Sequence, residues 1–298
     1  MKVLVSGSTG MIGSVVVASL RDSGHDVVRL LRPASRAVED GPSVRWDTSG
    51  TVERDGLEGV EAVVHLAGES IACRWNVARK ARIRESRVRG TTTLCEALAS
   101  LEQPPRVFLS ASAIGYYGNR GDETLTEAST AGEGFLAEVC HDWEAATRPA
   151  EEKGIRVVHS RFGVVLSARG GALSRMLTPF RLGLGGKIGS GRQYFSWITI
   201  DDVTRVIRQA LDDERFAGPV NVVAPRPVTN LEFTKTLGRV LSRPTVFPMP
   251  AFVARLVFGE MGEELLLAST RVVPEVLQGH GHEFLYPELE GALRHVLS

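Results

Sequence analysis

The chain alternates between short apolar runs and longer segments in which apolar side chains recur every three or four residues. Unbroken apolar runs are typical of buried parallel strands, and a repeat near 3.6 residues is typical of amphipathic helices. Five runs predict strands, at residues 3–6, 26–31, 60–66, 106–110 and 156–161. Longer helical patterns lie among them, at 76–101 and 135–153. This order predicts parallel βαβ units in a doubly wound α/β sheet.

The first predicted strand runs into a glycine-rich turn, in which a helical pattern over 11–20 begins. Glycines let the backbone approach a pyrophosphate, whose charge is stabilised by the free N–H groups at a helix N-terminus. The strand, turn and helix together predict a dinucleotide site, and a tight turn that binds nothing is the alternative. The predicted contacts are Gly7, Ser8, Thr9, Gly10, Met11, Ile12 and Gly13.

The second half of the chain has a less regular hydrophobic pattern than the first half. Residues 170–195 are rich in glycine and too irregular for a simple βα unit, so we expect a mobile lobe over the nucleotide. Residues 196–235 contain strand-like runs that are expected to return to the sheet. We therefore predict a Rossmann-type domain over 1–160, which 196–235 rejoin, and a smaller, mostly helical substrate lobe over 161–298. That lobe includes the proline-punctuated region 244–298.

Composition narrows the expected partners and compartment. The 298 residues include 35 Lys and Arg against 35 Asp and Glu, so nothing attracts the chain to nucleic acid or to an anionic membrane. Cys73, Cys95 and Cys140 fit neither a disulfide framework nor a zinc site, which indicates a reducing compartment and no metal. The first strand leaves no room for a signal peptide, and no apolar run reaches membrane-spanning length. A cytoplasmic protein is expected.

Further segments resemble the extended short-chain dehydrogenase/reductase family. VEAVVHLAG is similar to its fourth strand with the turn near the nicotinamide ribose, RVFLSASAIGYYG to its fifth strand with the catalytic serine, and SWITIDDV to a later family segment. The resemblance covers most of residues 1–235. RWNVARKARIRESRVRGT, CHDWEAA and the C-terminal ending resemble an atypical branch, labelled epimerase-family or sugar-nucleotide-epimerase-like, with a C-terminal region of unknown function.

The resemblance implies a nicotinamide cofactor, and the end of the second strand indicates which one. An NAD enzyme needs an acid there for the ribose 2′-hydroxyl, whereas a 2′-phosphate needs positive charge. Leu31 stands where the acid would be, and Arg32 follows, with Arg36 and the hydroxyls of Ser8 and Ser35 nearby. These donors favour NADP(H), and a solvated Arg32 is the alternative.

The resemblance also implies cofactor contacts further along the chain. Asp47 resembles the family's adenine-edge acid, or else forms a core-edge pair with Trp46. Arg87 adjoins a Gly-Thr pair that abuts the cofactor strand, although a basic run on a helix is most often a solvated face. His65 is expected to be a core histidine. The turn near the nicotinamide ribose adds Leu66, Ala67 and Gly68.

The catalytic residues that the family uses are only partly present. There, serine and tyrosine hydroxyls polarise the reacting carbonyl, and a lysine four residues after the tyrosine lowers the tyrosine pKa. Ser112 matches the serine, but Leu136 and Cys140 stand at the tyrosine and lysine positions. Cys140 is interpreted as inert core. The candidate catalytic residues are therefore Ser112, Tyr116 and Tyr117, and an aromatic lid over the nicotinamide is the alternative for the two tyrosines.

Three functions stay open after this reading of the sequence. The leading one is an NADPH-dependent oxidoreductase acting on an unidentified small carbonyl or alcohol. The second is a non-catalytic NADPH-binding or sensing protein, and the third is a nucleotide-sugar epimerase or dehydratase. Phe195 and Ser196 replace the arginine-aspartate pair with which nucleotide-sugar members grip a diphosphate, although Lys187 and Arg192 could still recognise an anion. The expected partners are a small-molecule substrate and, in a homodimer, a second copy of the chain.

Overall fold

A computed structural model describes residues 1–32, 41–47, 51–53 and 56–298. The strands are β1 Lys2–Ser6, β2 Asp26–Leu31, β3 Ser43–Asp47, β4 Thr51–Val52, β5 Ala62–His65, β6 Val107–Ala113, β7 Thr124–Leu125, β8 Arg156–Phe162, β9 Val164–Leu166, β10 Tyr194–Phe195, β11 Trp197–Thr199, β12 Gly218–Val222, β13 Val228–Thr229 and β14 Arg271–Val272. The helices are α1 Met11–Asp22, α2 Val77–Ala99, α3 Phe135–Ala145, α4 Arg148–Glu152, α5 Gly171–Arg181, α6 Ile200–Asp212, α7 Asn230–Val240, α8 Ala251–Phe258, α9 Glu260–Gly262, α10 Glu275–Gly279 and α11 Leu289–Leu297. A 3₁₀ turn spans Ile114–Tyr117, and a π-helical turn spans Glu263–Leu267.

The central sheet has the strand order β12-β8-β6-β5-β1-β2-β3-β4. Its first seven strands are parallel, and β4 is antiparallel to β3. The chain enters at β1 in the middle of the sheet and winds outward in both directions. The predicted doubly wound α/β class is therefore confirmed. In such a sheet ligands bind beyond the carboxyl ends of the strands, where the winding direction reverses.

Helices cover both faces of the sheet because its central strands are buried on both sides. Along β1, Val3 and Val5 pack with α1 and α6, whereas Leu4 packs with Leu94 and Leu98 of α2. All three β1 side chains have 0% exposure. The alternation of a strand thus sends neighbouring residues into two separate cores, which explains the unbroken apolar sequence.

The region after β8 divides between the sheet and the second lobe. Strand β12 pairs with β8 in the main sheet, and helix α6 packs on α1, which covers one face of that sheet. Strand β11 pairs instead with β9, in a separate two-stranded sheet. The helix that the pattern predicted over 135–153 is in fact two helices, α3 and α4. Pro149 lies in the first turn of α4, where a missing backbone N–H is tolerated, and it cannot continue α3 as one helix.

The C-terminal part is mostly helical and is held to the rest by two carboxylates, the buried Asp202 and the half-buried Glu264. Asp202 has 0% exposure and accepts hydrogen bonds from the backbone N–H groups of Leu285 and Tyr286 at 2.7 and 3.2 Å. Glu264 accepts from the N–H groups of Phe135 and Leu136 at 2.9 and 2.8 Å, at the start of α3. Within the described residues, no helix has both the length and the apolar character needed to cross a membrane.

Candidate functional site

The turn after β1 is packed against the end of β5. Gly7 has a φ of +64°, and a Cβ there would lie 2.7 Å from the carbonyl oxygen of Leu66. A Cβ on Gly13 would overlap the carbonyl oxygen of Gly7. Gly10 is less crowded, because its nearest heavy atom would be that same oxygen at 3.2 Å. Gly7 and Gly13 are thus required by the packing of the turn, whereas Gly10 leaves room in front of the helix.

This turn presents several hydrogen-bond donors without partners. Helix α1 begins at Met11, and no side chain caps its N-terminus at Gly10. Its first-turn N–H groups, those of residues 11–13, have no acceptor within the helix. The Ser8 hydroxyl is buried, with the residue 2% exposed, and has no hydrogen-bond partner among the described residues, while Thr9 is exposed. A phosphate would satisfy these donors and the positive end of the helix dipole.

Positive charge lies at the ends of β2 and β3. Arg32 is exposed, and its carbonyl oxygen accepts a hydrogen bond from Nη1 of Arg45 at 3.1 Å. Arg45 is thus a second guanidinium at this edge, which the sequence analysis missed because it depends on the β2–β3 pairing. Asp47 ends β3 and is half-buried. The predicted contacts Ser35 and Arg36 fall outside the described residues.

A buried hydrogen-bonded chain joins the glycine-rich turn to α3. The Ser6 hydroxyl lies 2.7 Å from Nδ1 of His65 and accepts from the N–H groups of Leu66 and Ala67 at 3.0 and 3.2 Å. On its other side His65 contacts Thr91 at 3.1 Å, and the indole of Trp143 donates to Thr91 at 2.9 Å. Burial lowers the pKa of His65 to about 4, so the ring is neutral at pH 7. His65 therefore fixes the turn and lies in the core.

Ser112 is the donor to a buried carboxylate. Its hydroxyl donates to Oε1 of Glu144 at 2.6 Å, and Arg161 donates to both oxygens of Glu144, each at 2.8 Å. Ser112 and Arg161 are each 3% exposed. Because an ionised carboxylate only accepts, the Ser112 proton points to Glu144, and the hydroxyl offers other groups its lone pairs. This ion pair was not among the features predicted from the sequence, although an arginine inside the apolar run RVVHSRF signals a buried partner.

The two candidate tyrosines lie on the same guanidinium in different environments. Tyr117 has 0% exposure, donates to Oδ1 of Asn221 at 2.6 Å, and accepts from Nη1 of Arg161 at 3.0 Å. Burial raises the pKa of the Tyr117 hydroxyl, although Arg161 opposes the shift. Tyr116 is half-buried, and the Arg161 guanidinium carbon lies 3.6 Å from its ring centroid. Tyr117 cannot serve as an exposed lid, and Tyr116 is the better placed of the two to meet a ligand.

Helix α3 faces the loop that follows β6. A Cβ on Gly115 would lie 3.3 Å from Cβ of Leu136 and 3.8 Å from Sγ of Cys140. Leu136 and Cys140 thus face the segment from Ser112 to Tyr117, which we call the Ser112 loop. They carry an alkyl group and a thiol where the resemblance predicts a tyrosine and a lysine. Burial raises the pKa of Cys140 to about 12, so the thiol stays protonated at neutral pH.

Arg87 of α2 lies against the turn after β5. Its Nη1 donates to the carbonyl oxygens of Glu69 and Ile83 at 3.0 and 3.1 Å. A Cβ on Gly68 would lie 3.2 Å from its guanidinium carbon. The structure therefore places Arg87 against Gly68, which follows the predicted contacts Leu66 and Ala67 in the chain.

The segment before α6 uses its polar groups internally. Ser196 donates to the carbonyl oxygen of Thr270 at 2.8 Å and accepts from the N–H of Val272 at 3.0 Å. Phe195 packs on Phe233 with ring centroids 4.5 Å apart. Ser196 therefore joins the C-terminal part to the sheet, and neither residue offers a charge to a diphosphate.

Comparison with protein families divides the chain into two parts. Residues 3–223 match the NAD dependent epimerase/dehydratase family, and residues 249–296 match a domain of unknown function, DUF1731. An epimerase family protein of Mycobacterium bovis is 43% identical over 293 residues, which cover 98% of this chain and 96% of the relative. An epimerase family protein of Bacillus subtilis is 35% identical over 300 residues, which cover 100% of this chain and 98% of the relative.

Solved structures show the same architecture. The human epimerase family protein SDR39U1, crystallised with NADPH, superposes with a TM-score of 0.89 at 36% identity, covering 99% of each chain. A nucleoside-diphosphate sugar epimerase of Corynebacterium glutamicum superposes with a TM-score of 0.82 at 39% identity, covering 100% of this chain and 58% of that one. The similarity to these two structures extends through both parts of the chain.

Proposed function

This chain belongs to the NAD dependent epimerase/dehydratase family, and from that premise we propose that it is an NADPH-dependent oxidoreductase acting on a small carbonyl or alcohol. The observation that carries the cofactor half of the proposal is the turn after β1. It combines uncapped first-turn N–H groups with the buried Ser8 hydroxyl, which has no partner in the part of the chain that the structure describes. Leaving such a donor buried and unpaired costs about 1–3 kcal/mol, which a bound phosphate would recover.

The preference for NADPH over NADH is supported by the guanidinium groups at the sheet edge. Leu31 leaves no carboxylate at the end of β2 to accept from a ribose 2′-hydroxyl, while Arg32 is exposed there and Arg45 lies beside it. Guanidinium groups match the oxygens of a phosphate in charge and geometry. The human relative crystallised with NADPH is consistent with this assignment.

The bound cofactor would supply or accept hydride, and this chain would hold the substrate oxygen and its proton. Tyr116 is the candidate proton donor, because its phenol is half-buried beside the charged Arg161. Ser112 offers lone pairs, which suits it to accept a hydrogen bond from a substrate hydroxyl. The positive charge of Arg161 is shared with Glu144, so it acts mainly to keep Ser112 and Tyr116 in place.

A non-catalytic NADPH-binding protein is the second candidate, and one observation favours it. Ser112 and Tyr117 donate their protons to hydrogen bonds inside the protein, and burial keeps the Cys140 thiol protonated, which leaves Tyr116 as the candidate acid among these four residues. If Tyr116 does not donate its proton to a substrate, none of these four residues acts as the acid, and the protein binds NADPH without turnover. For a nucleotide-sugar epimerase, the third reading, Phe195 and Ser196 offer no cation to the substrate diphosphate.

Two measurements on the purified protein test these proposals. Calorimetric titration with NADPH and NADH should show NADPH binding at least about tenfold more tightly, since one charge-assisted contact to phosphate amounts to about 1.4 kcal/mol. Deuteride transfer from labelled NADPH across a panel of aldehydes and ketones should then detect turnover. Tight NADPH binding with no deuteride transfer to any compound would favour the non-catalytic NADPH-binding protein. Equal affinity for NADPH and NADH would contradict the proposed preference for NADPH.

A further inference from the structure

Helix α2 carries a series of cations that face the rest of the molecule, and one of them is unlike the others. Three are paired with carboxylates: Arg79 with Glu69, Lys80 with Glu260, and Arg84 with Asp142. Arg87 has no carboxylate within ion-pair distance in the described part of the chain. Its hydrogen bonds go to two backbone carbonyl oxygens, and both come from Nη1. Among the described residues, no acceptor is hydrogen-bonded to its Nε or Nη2 donors, although the charge of the Glu69 carboxylate acts on the guanidinium from a longer distance.

The surroundings of Arg87 place these donors at the cofactor edge of the sheet. A Cβ on Gly68 would lie 3.3 Å from Nη2 of Arg87, so the guanidinium lies directly against the backbone there. Gly68 follows Leu66 and Ala67, the residues against which Gly7 of the glycine-rich turn is packed. Arg87 therefore adjoins the turn that resembles the family's turn near the nicotinamide ribose.

Arg87 is also next to the position from which the family's lysine would project. Its guanidinium carbon lies 5.0 Å from the ring centroid of Trp143, which follows Cys140 by one turn of α3. Gly115, in the loop after Ser112, contacts Cys140 from the other side. A thiol that stays protonated cannot contribute positive charge here. A cation from α2 thus lies beside the position on α3 at which the resemblance predicts a lysine.

We propose that Arg87 is the cation of the active site, which replaces from α2 the lysine that is missing from α3. Its free N–H donors bind the ribose hydroxyl oxygens at the nicotinamide end of the cofactor. The inference rests on the proposed NADPH binding and extends it, because it assigns a residue to the half of the cofactor that neither the glycine-rich turn nor Arg32 contacts.

The test compares two ligands that share an adenosine end. NADPH has the nicotinamide ribose, and adenosine 2′,5′-bisphosphate lacks it. Calorimetry on Arg87→Ala should show NADPH affinity falling roughly ten- to hundredfold, as for loss of hydrogen bonds from a charged donor. Affinity for the bisphosphate should change less than about twofold. Equal loss for both ligands, or no loss for either, would overturn the inference. A parent protein that binds neither ligand would overturn the proposed function itself.

Control variants separate charge from folding. Arg84→Ala removes an arginine one turn away on α2 that is paired with Asp142 and Glu138, and it should leave both affinities unchanged. Arg87→Gln keeps a donor for the backbone carbonyl oxygens without the charge, and it should lose NADPH affinity as Arg87→Ala does, at an unchanged melting temperature. Adding Cys140→Lys to Arg87→Ala should restore at least part of the lost NADPH affinity. If Arg87→Gln binds NADPH as the parent does, the role of Arg87 is structural.

Discussion

The glycine-rich turn after β1 and the Ser112 loop at the end of β6 lie at the same edge of one sheet, yet they differ in whether their polar atoms have hydrogen-bond partners. At the turn, the Ser8 hydroxyl and the first N–H groups of α1 have no partner within residues 1–32, 41–47, 51–53 and 56–298. At the loop, Ser112, Tyr117, Glu144 and Arg161 are hydrogen-bonded to one another or to Asn221. The first region is built to be completed by a ligand, and the second is largely complete without one.

This difference matters for how a catalytic residue is recognised. Ser112 is the residue predicted to match the family's serine, but its proton is directed to Glu144. Tyr117 has the phenol that a proton donor needs, but its proton is directed to Asn221. A residue type at the expected position therefore does not establish a proton that a substrate can use. A cofactor site can be inferred from donors left unpaired, whereas a catalytic site also requires a group that is free to change its partner.

The largest expected effect comes from removing the carboxylate that Ser112 and Arg161 share. Glu144→Ala should destabilise the protein by about 3–5 kcal/mol, because it leaves the buried Arg161 charge without a counter-ion and Ser112 without an acceptor. Urea unfolding followed by circular dichroism measures the change. Arg84→Ala, which breaks a pair at the surface, should cost at most about 1 kcal/mol and serves as the control. Similar losses for the two variants would mean that the network is not what holds this region.

The next effect separates the two tyrosines. Tyr116→Phe should lower hydride transfer roughly a hundredfold, the usual cost of losing one donor to a developing oxyanion, with little change in melting temperature. Tyr117→Phe should instead lower stability by about 1–3 kcal/mol, because Asn221 and Arg161 each lose a buried partner. Turnover of the folded Tyr117→Phe protein should stay near that of the parent. The reverse pattern, measured by single-turnover kinetics and thermal unfolding, would exchange the roles of the two residues.

Local sequence patterns were enough to predict the cofactor half of the molecule. Strand β1, the three glycines and α1 follow one another within twenty-two residues, so the hydrophobic period and the turn chemistry could be read together. The exception is Arg45, which reaches Arg32 across a strand pair. Its contribution could be found only once the order of the strands was known.

The polar network could not be predicted in the same way, because its partners are far apart in the chain. Tyr117 and Asn221 are 104 residues apart, and Ser112 and Glu144 are 32 apart. The hydrophobic period shows which side chains face the core, but it carries no information on which buried polar atoms meet there. Arg161, a charge in an apolar strand, was the one local sign of a buried partner.

A pH change tests the contribution of His65, whose hydrogen bonds connect the end of β1 to α2 and, through Thr91, to α3. His65 joins Ser6 of the glycine-rich turn to Thr91, which Trp143 of α3 also contacts. Its pKa is lowered to about 4 in the folded protein, so the unfolded chain binds a proton at a higher pH than the folded one. Stability from this residue is complete above about pH 6.5 and is lost as the pH falls toward 4, by about 2 kcal/mol at pH 5.

Urea unfolding of the parent at pH 7 and pH 5 measures that loss. Burial also lowers the pKa values of His159 and His282, so their contributions have the same sign. His65→Gln is the matched variant, because an amide can bond to Ser6 and Thr91 without titrating. Its loss of stability between pH 7 and pH 5 should be smaller than that of the parent. Equal losses would show that His65 titrates normally and that other groups cause the acid sensitivity.

The smallest expected effect belongs to the exposed charge at the edge of the cofactor site. Arg32→Ala should weaken NADPH binding about tenfold, or about 1.4 kcal/mol, while NADH binding stays nearly unchanged. The effect is modest because the side chain is solvated before the ligand arrives and because Arg45 remains beside it. Raising the salt concentration should reduce the parent's preference for NADPH, since exposed charges are screened. A preference that survives both Arg32→Ala and high salt would move recognition of the 2′-phosphate from Arg32 to groups deeper in the site, with Ser8 the first to replace.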